Sequence, residues 1–148
     1  MTVSLDMHDD FKPMLSGKFK EGMSIDDQLA KLDYPLLASP KLDGIRVICH
    51  PTLGPVTRSL KPVRNSHIRT LLSSPDLHYL DGEIVVGDHE QRDYSFQTTE
   101  SAVMSAAGKP DFYYVVFDCF HKPERPFKDR TSHARGIKDF ASRNYPFL

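Results

Sequence analysis

Lys41 stands at the head of the run Lys41-Leu42-Asp43-Gly44-Ile45-Arg46. A primary amine beside an Asp-Gly turn pair is either a solvated surface charge or a nucleophile. As a nucleophile toward phosphorus it must be neutral part of the time. Burial and neighbouring cations favour the neutral form, and Arg46 and Arg58 are the candidate neighbours. The same arginines suit phosphate oxygens, because a guanidinium makes forked hydrogen bonds. A carboxylate that could accept from sugar hydroxyls follows at Glu83, in Leu80-Asp81-Gly82-Glu83. An aromatic face that could stack on a base follows at Phe117, in Val116-Phe117-Asp118. Each has a plainer reading when taken singly: a charged turn, an ordinary strand after a turn, a core phenylalanine. Arg58, Lys61, Arg64, His67 and Arg69 form the densest positive cluster. It reads as a solvated helix face, or as a track along a phosphate backbone with salt-sensitive binding.

The elements that must position these residues follow from period and punctuation. Residues 1–10 read as a loose acidic lead-in. The short patch 11–15, with Pro13, reads as extended and packed. Ser24 and Asp27 have capping-box spacing, and Ile25, Leu29 and Leu32 share one helical face that Tyr34-Pro35 ends. Residues 34–39 and 45–50 read as strands flanking the lysine. In the second, Ile45, Val47 and Cys49 share one face, and Arg46, Ile48 and His50 the other. The turn residues of 51–55 and a returning strand at 56–58 make a hairpin. Asn65 caps a helix with an Ile68, Leu71, Leu72 stripe, stopped by Ser73-Ser74-Pro75. A strand over 80–86 puts Asp81, Glu83 and Val85 on one face. A helix over 95–107 closes at Gly108. The apolar run 111–120 reads as a central strand, in which a buried Asp118 needs a partner. A last helix covers 129–142, weakened by Gly136. The apolar ending 144–148 reads as the start of another strand. The short first turn favours antiparallel pairing, hence an α+β fold of antiparallel sheets with flanking helices.

Bulk properties bound the function classes. The chain has 148 residues, 39% hydrophobic and 26% charged, which suits one globular domain. A net charge of −1 gives no global attraction to nucleic acid, so any such contact must be local. Cys49 and Cys119 lie in apolar runs without metal-ligand spacing, and read as buried free thiols of a reducing cytoplasm. The N-terminus lacks the apolar core of a signal peptide, and no run is long enough to span a bilayer. A cytoplasmic protein is expected.

The ordered set Lys-x-Asp-Gly-x-Arg, Thr57-Arg58-Ser59, Leu80-Asp81-Gly82-Glu83 and Val116-Phe117-Asp118 resembles the motifs of covalent nucleotidyltransferases: ATP-dependent DNA ligases, RNA ligases and capping enzymes. The lead-in Lys12-Pro13-Met14-Leu15 and the run 34–46 look most like the small ATP-dependent DNA ligases of bacteriophages. The resemblance implies an ATP-grasp-like adenylation domain. It implies Lys41 as the residue that takes AMP, with Arg46, Arg58, Glu83 and Phe117 on the nucleotide. Arg46 would contact ribose or phosphate, Arg58 phosphate, Glu83 the ribose and Phe117 adenine. It implies ATP and Mg²⁺ as cofactors, nicked duplex DNA as partner, and roles in DNA replication, repair and recombination. No metal-ligating residue is assigned. The family's later acidic strand motif, its Lys-x-Lys motif and its OB-fold domain have no match after Phe120, where Lys122, Lys128 and Lys138 lack the spacing. Residues 1–148 are therefore expected to be the N-terminal part of an adenylation domain, with a second chain as one source of the missing motifs. An RNA ligase, a capping guanylyltransferase or a non-catalytic nucleotide-binding remnant are the alternatives.

Overall fold

The computed structural model describes residues 12–88 and 93–148. The acidic lead-in and Phe11 lie outside the described residues. The chain divides into two compact units, Met1–Pro40 and Lys41–Leu148. In the first, helix α1 (Ile25–Leu29) starts at Ser24, whose hydroxyl accepts from the Asp27 amide as the capping spacing requires. The helix ends at Leu29, well before Tyr34-Pro35, and buries none of its residues. Its apolar stripe is therefore exposed, as are Met14 and Leu15. Residues 34–39 form no strand. Apolar composition makes a strand only where a pairing edge exists, and none of the described strands pairs with this run.

The second unit is built on an antiparallel sheet of β1 (Ile45–His50), β2 (Gly54–Thr57), β3 (Leu80–Asp88) and β5 (Phe112–Cys119), in the order β2-β1-β3-β5. The two-residue strand β4 (Asp93–Tyr94) pairs with the end of β3. Antiparallel pairing throughout bears out the α+β expectation. The central strand is β3 and not the 111–120 run: among the described residues β5 has a strand partner, β3, on one side only. Helix packing and the chain end cover the core face and the outer edge of β5. Helix α4 (Phe127–Ala141) packs on β5, Phe147 accepts a 2.7 Å hydrogen bond from the Tyr114 amide, and its ring stacks on Phe112 at 4.9 Å.

One sheet face carries the core. Val47 and Cys49 of β1, Leu80 and Ile84 of β3, and Phe112, Tyr114 and Cys119 of β5 pack with Ile68 and Leu72 of α2 (Ser66–Leu72) and Val103 of α3 (Phe96–Met104). A one-turn 3₁₀ helix, Pro75–Leu77, adds Leu77. Both cysteines are buried free thiols, and burial pushes the Cys49 thiol up to about 12. Asn65 has two tasks. Its side-chain oxygen caps α2 through the Ile68 amide at 3.0 Å, and its amide group donates to the carbonyls of Ser105 and Ala107 at 3.1 and 3.2 Å. That second task holds the chain in an extended turn at Ser105, so α3 stops at Met104 rather than at Gly108.

Helix α4 runs through Gly136, where an added Cβ would meet nothing within 4 Å. Gly136→Ala is therefore expected to stabilise the fold by about 0.5–1 kcal/mol, because alanine has less unfolded-chain entropy to lose. Urea unfolding measures it. A destabilised variant would show that the position needs glycine for another reason.

Candidate active site

The opposite face of the same sheet gathers the chemistry. The register sets Arg46 of β1 opposite Glu83 of β3 and Ile48 opposite Asp81. Side chains at alternate positions share a face, so Arg46, Asp81 and Glu83 lie together. Arg46 binds Asp81 in a fork, Nε to Oδ1 at 2.9 Å and Nη2 to Oδ2 at 2.5 Å. Its guanidinium carbon also lies 5.5 Å from the centre of the Phe117 ring, within cation–π range.

A β-bulge brings Phe117 to this face. Asp81 pairs with Asp118, and the next residue, Gly82, pairs with Val116, so Phe117 is the extra residue. Phe117 and Asp118 therefore both face Arg46 and Asp81, while Val116 and Cys119 on either side pack into the core. Asp118 has the partner its burial requires. Arg130 of α4 holds it with two hydrogen bonds of 3.0 Å, and the Cys119 amide adds one of 2.8 Å.

Lys41 lies in the coil before β1 and is exposed. The segment precedes the sheet, and nothing in its own unit covers the amine. Its charge nevertheless reaches Glu83. Burial raises the Glu83 carboxyl above its ordinary value, while Arg46, Lys41 and a hydrogen bond from the Gly44 amide oppose the rise. That amide bond explains the glycine. A Cβ on Gly44 would run into the Ile84 carbonyl oxygen and lie 2.9 Å from both Glu83 Cγ and Val85 Cγ1. Only a residue without a side chain lets the backbone after Lys41 reach the Glu83 carboxylate.

Four of the five site residues expected from sequence thus form one neighbourhood: Lys41, Arg46, Glu83 and Phe117. Arg58 joins it by no hydrogen bond among the described residues. It occupies the exposed turn after β2, whose last residue, Thr57, pairs with Val47. Arg46 holds Asp81 through Nε and Nη2, which raises the guanidinium pKa and fixes its plane on this face. Asp81 itself was missed as a site residue. Its shared parity with Glu83 was the available signal, but its pairing with Arg46 depends on strand register.

Residues 13–136 match the family described as ATP dependent DNA ligase domain. The chain belongs to that family. Two solved structures of a Chlorella virus DNA ligase–adenylate resemble this ATP-dependent DNA ligase domain. One has 30% sequence identity and a TM-score of 0.70 over 90% of this chain and 45% of that one. The other has 30% identity and a TM-score of 0.65 over 87% and 43%. The chain thus spans less than half the length of the ligases it resembles. Comparison with curated protein sequences found no match. The nucleotidyltransferase fold expected from the motif order is borne out by these likenesses.

The ligase domain's face offers donors and a ring suited to a nucleotide, but not a metal cage. No group of three or more His, Cys, Asp or Glu among the described residues could hold a metal ion. Asp81 and Asp118 are each occupied by an arginine, which leaves Glu83 as the remaining carboxylate of this face among the described residues. No helix among the described residues is long and apolar enough to cross a membrane.

The raised pKa of Glu83 has a definite sign. A carboxyl that holds its proton more tightly when folded contributes most stability below the ordinary carboxylate range. That contribution is lost as pH rises through the folded value. Glu83→Gln should therefore gain on the parent chain as pH climbs from about 4 toward neutrality. Thermal unfolding from pH 3 to 8 reads this directly, and a difference that does not vary with pH would refute the assignment.

Proposed function

We propose that this chain is the nucleophile-bearing part of an ATP-dependent DNA ligase, and that Lys41 is its AMP acceptor. The observation that carries the reading is the convergence of Lys41, the Gly44 amide, Glu83 and Phe117 on one sheet face, in a chain of this family. In the step envisaged, the neutral ε-amine of Lys41 attacks the α-phosphorus of ATP. A nitrogen–phosphorus bond forms, the bond from that phosphorus to the pyrophosphate oxygen breaks, and the amine proton passes to solvent. The product is lysyl-AMP and pyrophosphate. Glu83 would accept from the ribose hydroxyls, Phe117 would stack on adenine, and Arg58 would meet phosphate oxygens. Mg²⁺ would enter with the triphosphate rather than on a protein cage, since such ions are commonly held by phosphates with few carboxylates.

The AMP would then pass to the 5′-phosphate of a nick in duplex DNA, and the adjacent 3′-hydroxyl would displace it. That activity serves replication, repair and recombination, in a cytoplasmic setting and for a bacteriophage-type enzyme. A second chain carrying downstream groups is one way to complete it. Incubation with α-labelled ATP and Mg²⁺ tests the first step alone. Acid-labile label on the protein from ATP is the expected result. Label from GTP instead would assign a capping guanylyltransferase. No label, with or without the downstream region of a homologous ligase added in trans, would leave a non-catalytic nucleotide-binding domain.

A further inference from the structure

A second concentration of functional groups lies past the end of β5, outside the nucleotide face. A cavity of about 170 Å³ opens between the loop 120–126 and the first turns of α4. Cys119, His121, Lys122, Arg125, Asp129, Arg130 and His133 line it. Three permanent cations and two imidazoles thus face one unengaged carboxylate, Asp129. Arg130 does not count toward an incoming charge, because Asp118 neutralises it. Lys122, Arg125, His121 and His133 remain as donors.

The walls are held rather than loose. Arg130 donates to the carbonyls of Arg125 at 2.7 Å and Pro123 at 3.4 Å while it grips Asp118, so loop, strand and helix are tied at one guanidinium. The imidazoles of His121 and His133 stack at 5.8 Å with 26° between planes. Tyr79 meets His121 edge-on at 4.9 Å, and does so from a left-handed backbone, φ 71°. An aromatic residue in that region costs about 1–3 kcal/mol, a strain that persists only where surrounding structure enforces it. Here the Tyr79 carbonyl accepts from the Phe120 amide at 2.9 Å and its amide donates to the Cys49 carbonyl at 2.8 Å, which fixes the ring against the cavity wall.

We propose that this cavity binds a phosphate group. No group of three or more His, Cys, Asp or Glu among the described residues could hold a metal ion, and the ammonium, guanidinium and imidazole donors here suit oxyanion acceptors. The group could be a backbone phosphate of nucleic acid or a free phosphate, and the lining chemistry is the same for both. The proposal stands apart from the Lys41 reading and does not depend on it.

The test uses the full chain with histidines labelled for NMR, titrated at constant ionic strength with inorganic phosphate, with pyrophosphate and with a duplex oligonucleotide. Saturable shifts of His121 and His133 are expected. Lys122→Gln/Arg125→Gln should weaken them about tenfold or more, since charged hydrogen bonds are lost. Both side chains are exposed, so the variant should keep its melting temperature, and that measurement is the control for folding. Shifts with phosphate or pyrophosphate assign a free anion. Shifts with duplex alone, weakened by salt and by the double variant, assign a backbone phosphate. No response to any of the three, or an equal response in the variant, overturns the proposal.

Discussion

Lys41→Ala is expected to reduce protein-bound label from α-labelled ATP to background while leaving the fold intact. The two halves of that result have separate causes. The lysine is exposed and lies before the sheet, so its truncation removes no packing and should change stability by less than about 0.5 kcal/mol. Its amine nitrogen would form the new bond, and among the described residues Lys41 is the lysine whose charge acts on Glu83. Lys41→Arg should fail equally, although it keeps the charge, because a guanidinium does not surrender its proton near neutral pH. An Arg variant that labels as well as the parent would place the nucleophile elsewhere. The same pair of variants separates a lost nucleophile from a lost electrostatic contact to phosphate, since arginine would preserve only the second.

The second large effect is structural. Arg46→Met removes the partner of Asp81, a carboxylate whose side chain is 9% exposed and which pairs directly with Asp118 on the next strand. Breaking one half of a buried ion pair costs about 3–5 kcal/mol, because the remaining charge stays desolvated. Arg46 is itself 17% exposed at its side chain, which places the expectation near the lower end, about 3 kcal/mol. A fall in Tm of about 10 °C follows. Burial already holds the Asp81 carboxyl above its usual range, even with Arg46 in place. Without the arginine it rises further, so the deficit should be greatest at neutral pH and shrink as acid protonates Asp81. The double variant Arg46→Met/Asp81→Asn should recover most of the loss at pH 7. If it is no better than Arg46→Met, the cost comes from packing on Phe117 rather than from charge.

Local signals carried much of the fold. Alternation located β1, the Asn65 and Ser24 caps located α2 and α1, and Ser73-Ser74-Pro75 ended α2 where the chain turns. What failed was information that resides in partners. The 111–120 run was apolar on both faces and so suggested the sheet centre. The true centre, β3, is broken in sequence by Asp81, Gly82 and Glu83 because its outer face builds the site. Local rules fail where function imposes charge on a central strand. Gly82 illustrates the other half of the difficulty. It sits mid-strand, as the strand over 80–86 expects, but alternation says nothing of why it is glycine: a Cβ would fall 2.8 Å from the Tyr114 ring. That ring fills the space beneath it and places its hydroxyl 2.9 Å from the Val47 carbonyl. The candidate site was legible as a set of residue types, since Lys41, Glu83 and Phe117 are neighbours of one face. The Arg46–Asp81 and Asp118–Arg130 pairs were not, because each depends on a strand register or helix position far away in sequence.

The bulge at Phe117 makes length, more than identity, the inflexible property of β5. Because the ring and the Asp118 carboxylate face the same way only through one surplus residue, removing a single residue between Val116 and Cys119 would restore simple alternation. The residue left between Val116 and Cys119 would keep the site face, and the other group, ring or carboxylate, would be gone from it. The strand can therefore absorb conservative exchanges of side chain, but a change of one in its residue count would dismantle either the ring's position over Arg46 or the tie to α4.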